Sequence, residues 1–173
     1  MRSPRCCLGS TSAMPPDAVP TRVDAHLRAL ETLYASAPIN RWFASTLALP
    51  AGRCGIDFSL SPDSFHAAGA AHDTLYLKML DDAAFYAANT LVSDRFLLTT
   101  AFNAHFTKAL KRGQARAEGR WISGRRRVFV AEARTIDSSS EECVHDTGTF
   151  LRLPIALSGL VGYRATRDGC PGG

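Results

Sequence analysis

The common catalytic signatures are missing from this chain of 173 residues. It has no Gly-x-Ser-x-Gly elbow, no Walker loop, no Gly-x-Gly-x-x-Gly turn and no His-Glu-x-x-His helix. Serine-nucleophile, nucleotide-binding and zinc-protease readings therefore lack their motifs. No window reaches the roughly 18 consecutive apolar residues that a membrane span requires, so no membrane span is expected. Cysteines are few, at positions 6, 7, 54, 143 and 170. They show no Cys-x-x-Cys pair and no metal-ligand spacing, and their odd number argues against a secreted disulfide framework. A reducing compartment fits, and a cytoplasmic location is expected. The first 16 residues carry two Arg, several Ser and no acid. That makes a mitochondrial presequence the alternative, but the segment is short and lacks an apolar face, so a disordered tail over 1–16, or a start at Met14, is preferred.

Hydrophobic residues make up 46% of the chain, enough to close one core, and the length suits one domain. The net charge of +4 is modest but unevenly placed. Between Lys108 and Arg134 stand nine basic residues, Lys108, Lys111, Arg112, Arg116, Arg120, Arg125, Arg126, Arg127 and Arg134, against the acids Glu118 and Glu132. Such clustering suits a polyanionic partner, or equally a solvated strand edge protected from pairing. Without interleaved aromatics or a reader motif it does not point to nucleic acid.

The pattern predicts a helix over 17–37, with Val23, Leu27, Leu30, Leu33 and Tyr34 on one stripe and Pro38 ending it. Two antiparallel strands, 42–49 and 54–60, flank the turn Pro50-Ala51-Gly52. A long apolar helix follows, capped at Asp73 or Thr74 and running to about Thr90. Four strands come next, 97–107, 114–122, 126–136 and 146–153, with Ser123-Gly124 as a tight hairpin turn. From Pro154 the chain reads as a tail that frays. The class is α+β, one long helix covered by an antiparallel sheet, with an extra N-terminal helix; a single domain spans 17–155, and 156–173 is the C-terminal tail.

Residues 66–90, HAAGAAHDTLYLKMLDDAAFYAANT, hold the chemistry. Two adjacent carboxylates, Asp81 and Asp82, sit mid-helix among apolar residues, where a buried charge usually has a job. Asp82 has a plain partner in Lys78 four residues earlier, and Asp81 a weaker one three residues away. Upstream lie His72, which by itself suits a helix cap, and His66, a loop residue. His26, His105 and His145 show no partner pattern. His66, His72 and the two carboxylates match no familiar metal site, so neither metal nor cofactor is expected. His72 and Asp81 are nine residues apart, roughly 13.5 Å along one helix and on nearly opposite faces, so they share a site only if two chains supply them. A carboxylate base and a helix N-terminus that polarises a carbonyl describe hydrolysis of an activated acyl group.

This segment resembles the hotdog-fold thioesterases, in particular their PaaI-like branch. Members begin the central helix with His-Gly-Gly and place an acid nine residues after the His. Here His72-Asp73-Thr74 opens the helix, Asp81 stands nine residues on, and Ala83-Ala84-Phe85-Tyr86-Ala87-Ala88-Asn89 follows. Leu98-Thr99-Thr100-Ala101-Phe102-Asn103 and Gly148-Thr149-Phe150-Leu151 resemble the strands that follow, so the resemblance spans about 40–153. It implies a hotdog fold, and acyl-coenzyme A thioesters as substrates. Asp81 would be base or nucleophile, Thr99 would help hold the attacking water, and His66 would orient substrate or water. His72 and the N–H of Asp73, from the opposite subunit, would bind the thioester carbonyl. Thr74, Asp82, Lys108, Arg125 and Arg126 are the candidate substrate-binding residues, the basic ones for the nucleotide phosphates. A homodimer or dimer of dimers is implied, with sites at the interface. Asp73 and Thr74 replace Gly-Gly, which puts a carboxylate where an oxyanion would develop; a non-catalytic acyl-CoA binder is therefore the alternative, and a hotdog hydratase or dehydratase the next.

Overall fold

A computed structural model describes residues 21–164. The tail expected over 1–16, the helix positions 17–20, and Cys6, Cys7 and Cys170 lie outside the described residues. Helix α1, Arg22–Ser36, starts where a capping box forms: the Thr21 hydroxyl accepts from the Asp24 N–H, and the Asp24 carboxylate accepts from the Thr21 N–H. It stops ahead of Pro38, which opens a 3₁₀ turn, Pro38–Trp42. The first strand therefore begins later than its β-prone residues suggest. Strand β1 is Ser45–Ala48 and β2 is Arg53–Ser59, with Gly52 at φ 70° in the turn between them.

Helix α2 is Asp73–Asn89. Met79, Leu80, Ala83, Ala84, Ala87 and Ala88 are completely buried, so α2 is enclosed over most of its circumference. The alanines let the sheet come close: a Cβ on Gly119 would sit 1.9 Å from the Ala83 carbonyl oxygen. After α2 the chain is four strands, β3 Arg95–Phe106, β4 Gln114–Gly124, β5 Val128–Asp137 and β6 Glu142–Ala156.

All six strands form one antiparallel sheet in the order β1-β2-β4-β5-β6-β3, so β3 is a free edge. Alternation decides the two faces. Ala115, Ala117, Phe129, Ala131 and Ala133 turn toward α2, and the residues between them face outward.

Beyond β1, the larger departures from the sequence pattern are in the second half of the chain. The β4–β5 hairpin does not turn at Ser123-Gly124: Gly124, at φ 109°, pairs with Phe129, and Arg125-Arg126-Arg127 make the connection. Strand β6 starts at Glu142, four residues early. It also runs on to Ala156, and a 3₁₀ turn Leu157–Gly159 buries Leu157, so regular structure continues and anchors the chain where fraying was expected. Among the described residues no helix is long and apolar enough to cross a membrane.

Candidate active site

Asp81 lies where α2 passes over the sheet edge. Its Oδ1 accepts a hydrogen bond from the Thr99 hydroxyl at 2.8 Å. Thr99 pairs with the core residue Phe150, so it faces α2, and a register shift begins immediately after it. Burial raises the Asp81 carboxyl above its ordinary value, while the Thr99 hydrogen bond and the Lys78 charge hold it down. The result is a carboxylate that keeps some basicity yet has a fixed orientation.

Asp82 is occupied otherwise. It forms an ion pair with Lys78, whose ammonium also donates to Asn40 Oδ1 at 2.7 Å and lies 5.3 Å from the Tyr34 ring and 5.6 Å from that of Phe43. Burial pushes Asp82 up to about 6, with Lys78 opposing the rise. Two neighbours in sequence thus have two different partners, an ammonium for Asp82 and a hydroxyl for Asp81.

A cavity of about 530 Å³ adjoins this turn. Asp81, Asp82 and Thr99 give it a polar corner, and Phe85, Phe96 and Leu97 an apolar wall. A cavity of about 570 Å³ lies elsewhere, lined by Arg53, Arg116, Glu118, Arg120, Glu132 and Arg134 among others. Neither Asp81 nor Thr99 lines it.

The N-terminal end of α2 decides among the expected caps. His72, not Asp73 or Thr74, is the N-cap: its Nδ1 accepts from the Thr74 N–H at 3.1 Å and meets the Thr74 hydroxyl at 2.9 Å. An accepting Nδ1 leaves the hydrogen on Nε2. Asp73 becomes the first helical residue, with its N–H free of any hydrogen bond among the described residues. His66 Nδ1 accepts from the Ala68 N–H at 3.1 Å, closing a local loop. The hydrogen bonds of His66 and His72 are thus local and do not reach Asp81 or Thr99. One chain supplies the base and, separately, the helix N-terminus.

Four of the nine residues of the basic run, Lys108, Arg116, Arg120 and Arg134, are paired with acids, some inside the run and some distant in sequence. Arg116 bridges to Asp57 at 2.6 Å, Arg134 to Glu118 at 2.9 Å, and Arg120 to Glu132. Lys108 bonds Asp137 at 2.7 Å and pairs with Glu141, which raises the Lys108 pKa and lowers that of Asp137. Lys108 is therefore already neutralised as a phosphate ligand. Arg125, Arg126 and Arg127 are exposed at the β4–β5 turn and form no ion pair among the described residues. Cross-strand pairing runs Gly124 to Phe129 to Phe150 to Thr99, so that turn stands at the Thr99 end of the sheet. From Thr99 to Phe129 is two strand spacings, about 10 Å.

Sequence reasoning missed two features. Asp146 on β6 is fully buried with neither carboxyl oxygen hydrogen-bonded, and burial, with the nearby Asp81 charge adding to it, pushes its pKa up to about 8. The alternation Val144, Asp146, Gly148, Phe150 carried that signal, because the apolar members fix the inward parity. His26 is the second: it is buried, and its Nε2 meets the Asn89 carbonyl at 2.9 Å while its Nδ1 meets the Tyr163 hydroxyl at 2.7 Å. Nothing in the sequence signals that pairing. Among the described residues no group of three His, Cys, Asp or Glu side chains comes together as a metal site.

Residues 68–144, which include Asp81 and Thr99, match the family model of the thioesterase superfamily. No curated protein matches the sequence. Solved structures match it well in shape. A thioesterase family protein from Silicibacter pomeroyi has a TM-score of 0.69 at 20% identity, covering 74% of this chain and 98% of its own. The E. coli PaaI protein of the phenylacetic acid degradation operon has a TM-score of 0.68 at 12% identity, covering 75% and 96%. A Streptococcus mutans protein bound to acetyl CoA has a TM-score of 0.58 at 16% identity, covering 64% and 88%. The fold is the hotdog fold, and the chain resembles the hotdog thioesterase superfamily, PaaI being among its structural neighbours.

Proposed function

We propose that this hotdog chain hydrolyses acyl-coenzyme A thioesters, with one site built by two copies of the chain. The observation that carries the reading is the Thr99–Asp81 hydrogen bond of 2.8 Å at the polar corner of an otherwise apolar cavity. The acyl group occupies the cavity. Thr99 holds a water beside Asp81, which takes a proton as the water oxygen attacks the carbonyl carbon. The carbonyl oxygen gains negative charge and is held by the free N–H of Asp73 and by His72 of the second copy, where the helix N-terminus favours it. The C–S bond then breaks, the proton passes to the departing sulfur, and free acid and coenzyme A leave.

The second copy enters along β3. This edge strand is 12 residues long, and it exposes Leu98 and Phe106. An open edge of that length favours pairing with another strand, and a two-fold axis there brings each Asp81 toward the other copy's helix N-terminus. Arg125 and Arg126, at the Thr99 end of the sheet, are placed to meet the nucleotide phosphates; the Streptococcus mutans neighbour's acetyl CoA supports a ligand of that class.

One observation favours a second reading, an acyl-CoA binder without turnover. Asp73 is exposed at the first helical position with its carboxylate unengaged, close to where the oxyanion would form. The deciding experiment incubates the protein with short, medium, long-chain and aryl acyl-CoAs and follows release of free thiol. Release that Asp81→Asn abolishes supports hydrolysis. Ligand-induced stabilisation without release supports the binder, and Asp73→Gly is then the variant to restore turnover.

A further inference from the structure

The inner wall of the acyl cavity comes from α2 and β3, but its outer wall does not. Leu33, Ser36, Ala37 and Pro38 at the end of α1, together with Val161 beyond β6, close the other side. All five lie outside the segment that matches the thioesterase family. The part of the cavity farthest from Asp81 is therefore built by elements outside the matched segment.

That outer wall is tied down at two points. Gly162, at φ 98°, packs directly on α1, and a Cβ there would sit 1.9 Å from the Ser36 hydroxyl oxygen. Next to it, the Tyr163 hydroxyl bonds His26 Nδ1 at 2.7 Å, and His26 Nε2 bonds the Asn89 carbonyl at 2.9 Å. With Nε2 donating to that carbonyl, Nδ1 accepts from the tyrosine, so one imidazole links α1, the C-terminal end of α2 and the turn after β6. Val161 itself remains 88% exposed although it lines the cavity, as a residue on a rim does. An exposed apolar side chain held in place by a buried hydrogen-bond chain is an unusual use of ordering, because Val161 removes little of its own surface from water in return.

We propose that α1 and the turn at residues 160–163 form a specificity wall that sets the length of the apolar acyl group, with Val161 as the contact and His26 and Tyr163 as positioning residues. This rests on the reading of the cavity as an acyl site. A short acyl group reaches only Asp81, Thr99 and the aromatic inner wall, so it is indifferent to the wall. A longer chain must lie against Leu33, Pro38 and Val161, and its affinity follows their placement. One methylene in such a pocket changes discrimination by about tenfold or more, so a small shift of the wall is readable.

The test uses non-hydrolysable ethyl, hexyl and decyl thioethers of coenzyme A, with affinities measured by calorimetry for the wild-type chain, Val161→Trp and Tyr163→Phe. Hydrolysis of the matching acyl-CoAs is measured in parallel. Val161→Trp alters an exposed side chain and Tyr163→Phe removes one hydroxyl, so both variants keep the core. The expected result is a loss of affinity that grows with chain length, least for ethyl and about tenfold for decyl in Val161→Trp. Tyr163→Phe raises KM for the longer substrates while kcat holds. A change uniform over the three probes, or no change, overturns the wall. If the chain-length pattern appears without any hydrolysis, the thioesterase reading falls and the wall stands. If hydrolysis depends on Asp81 but shows no chain-length pattern, the reverse holds. A wild-type chain that binds none of the thioethers overturns both.

Discussion

The middle of α2 and its N-terminus differ in almost every physical respect. Around Asp81 the helix is enclosed: the carboxylate is bonded to Thr99, its neighbour Asp82 is paired with Lys78, and an apolar cavity adjoins both. Around His72 the helix is bare, with His72, Asp73 and Thr74 all exposed and the Asp73 N–H unengaged. A buried acid needs a surrounding fold to raise its basicity, and a single chain provides that. A helix N-terminus needs no such preparation, since its free N–H groups follow from helix geometry. Under the proposed mechanism the base is finished in the monomer, while the carbonyl site needs a substrate and a second chain.

The largest break in this contrast is Asp81→Asn, which keeps shape and removes the base. Turnover of the best acyl-CoA should fall on the order of a hundredfold or more, measured as kcat by thiol release. Unchanged turnover would remove Asp81 from the mechanism.

Asp146→Asn probes the same enclosed side through stability. The folded carboxyl, pushed up to about 8, lies above its unfolded value near 3.9, so the folded state holds the extra proton between those values. Stability contributed by this group is therefore full below about pH 4 and declines as pH rises toward 8. The Asn variant should lose that slope and gain on the order of 5 kcal/mol at pH 8, read from urea unfolding at several pH values. Parallel slopes for the two proteins would show that Asp146 is ionised in the fold.

Thr99→Ala should lower kcat by about tenfold, the worth of one hydrogen bond to a charged group. It also sharpens the comparison through pH. Asp81 acts when ionised, so activity rises with pH through its raised pKa, and the Thr99 hydroxyl favours the ionised form. Without that hydroxyl the acid limb of the rate profile should move to higher pH; an unmoved limb would mean that another group titrates. The smallest effect belongs to Arg125→Ala with Arg126→Ala. These exposed charges should raise KM for acyl-CoA a few-fold, about 1 kcal/mol, and the rise should shrink as salt is added. A salt-independent change would place the phosphates elsewhere.

Much of this was legible in the sequence because it is periodic. The apolar stripe of α2 fixed its extent, the nine-residue interval fixed that His72 and Asp81 face apart, and strand alternation ordered the four strands after α2. What stayed hidden depends on distant partners. Asp57, Glu141 and Glu142 pair with Arg116, Lys108 and Arg134 from outside the basic run. His26 looked idle because Tyr163 is 137 residues away. His72 was among the expected caps, and what stayed hidden is the choice between them: Asp and Thr beside it are stronger cap formers, whereas here the Ser64 carbonyl takes the His72 N–H and sets where the helix begins. The hairpin slipped by a few residues since Gly124 uses its positive φ within the strand pairing and leaves the turn to three arginines.

Subunit complementation tests the central claim, one site from two chains, most directly. Asp81→Asn removes the base. Asp73→Pro removes the N–H at the first helical position, where Pro is tolerated and where His72, at φ −71° and ψ 147°, already has the backbone that precedes a proline. Each variant alone should be nearly inactive. Mixed and allowed to exchange subunits, they form heterodimers in which one of the two sites is intact, so activity should return to about a quarter of wild type for a random mixture. Subunits that exchange, shown by mass, without any recovery of activity would place both groups in one chain's site and contradict the account.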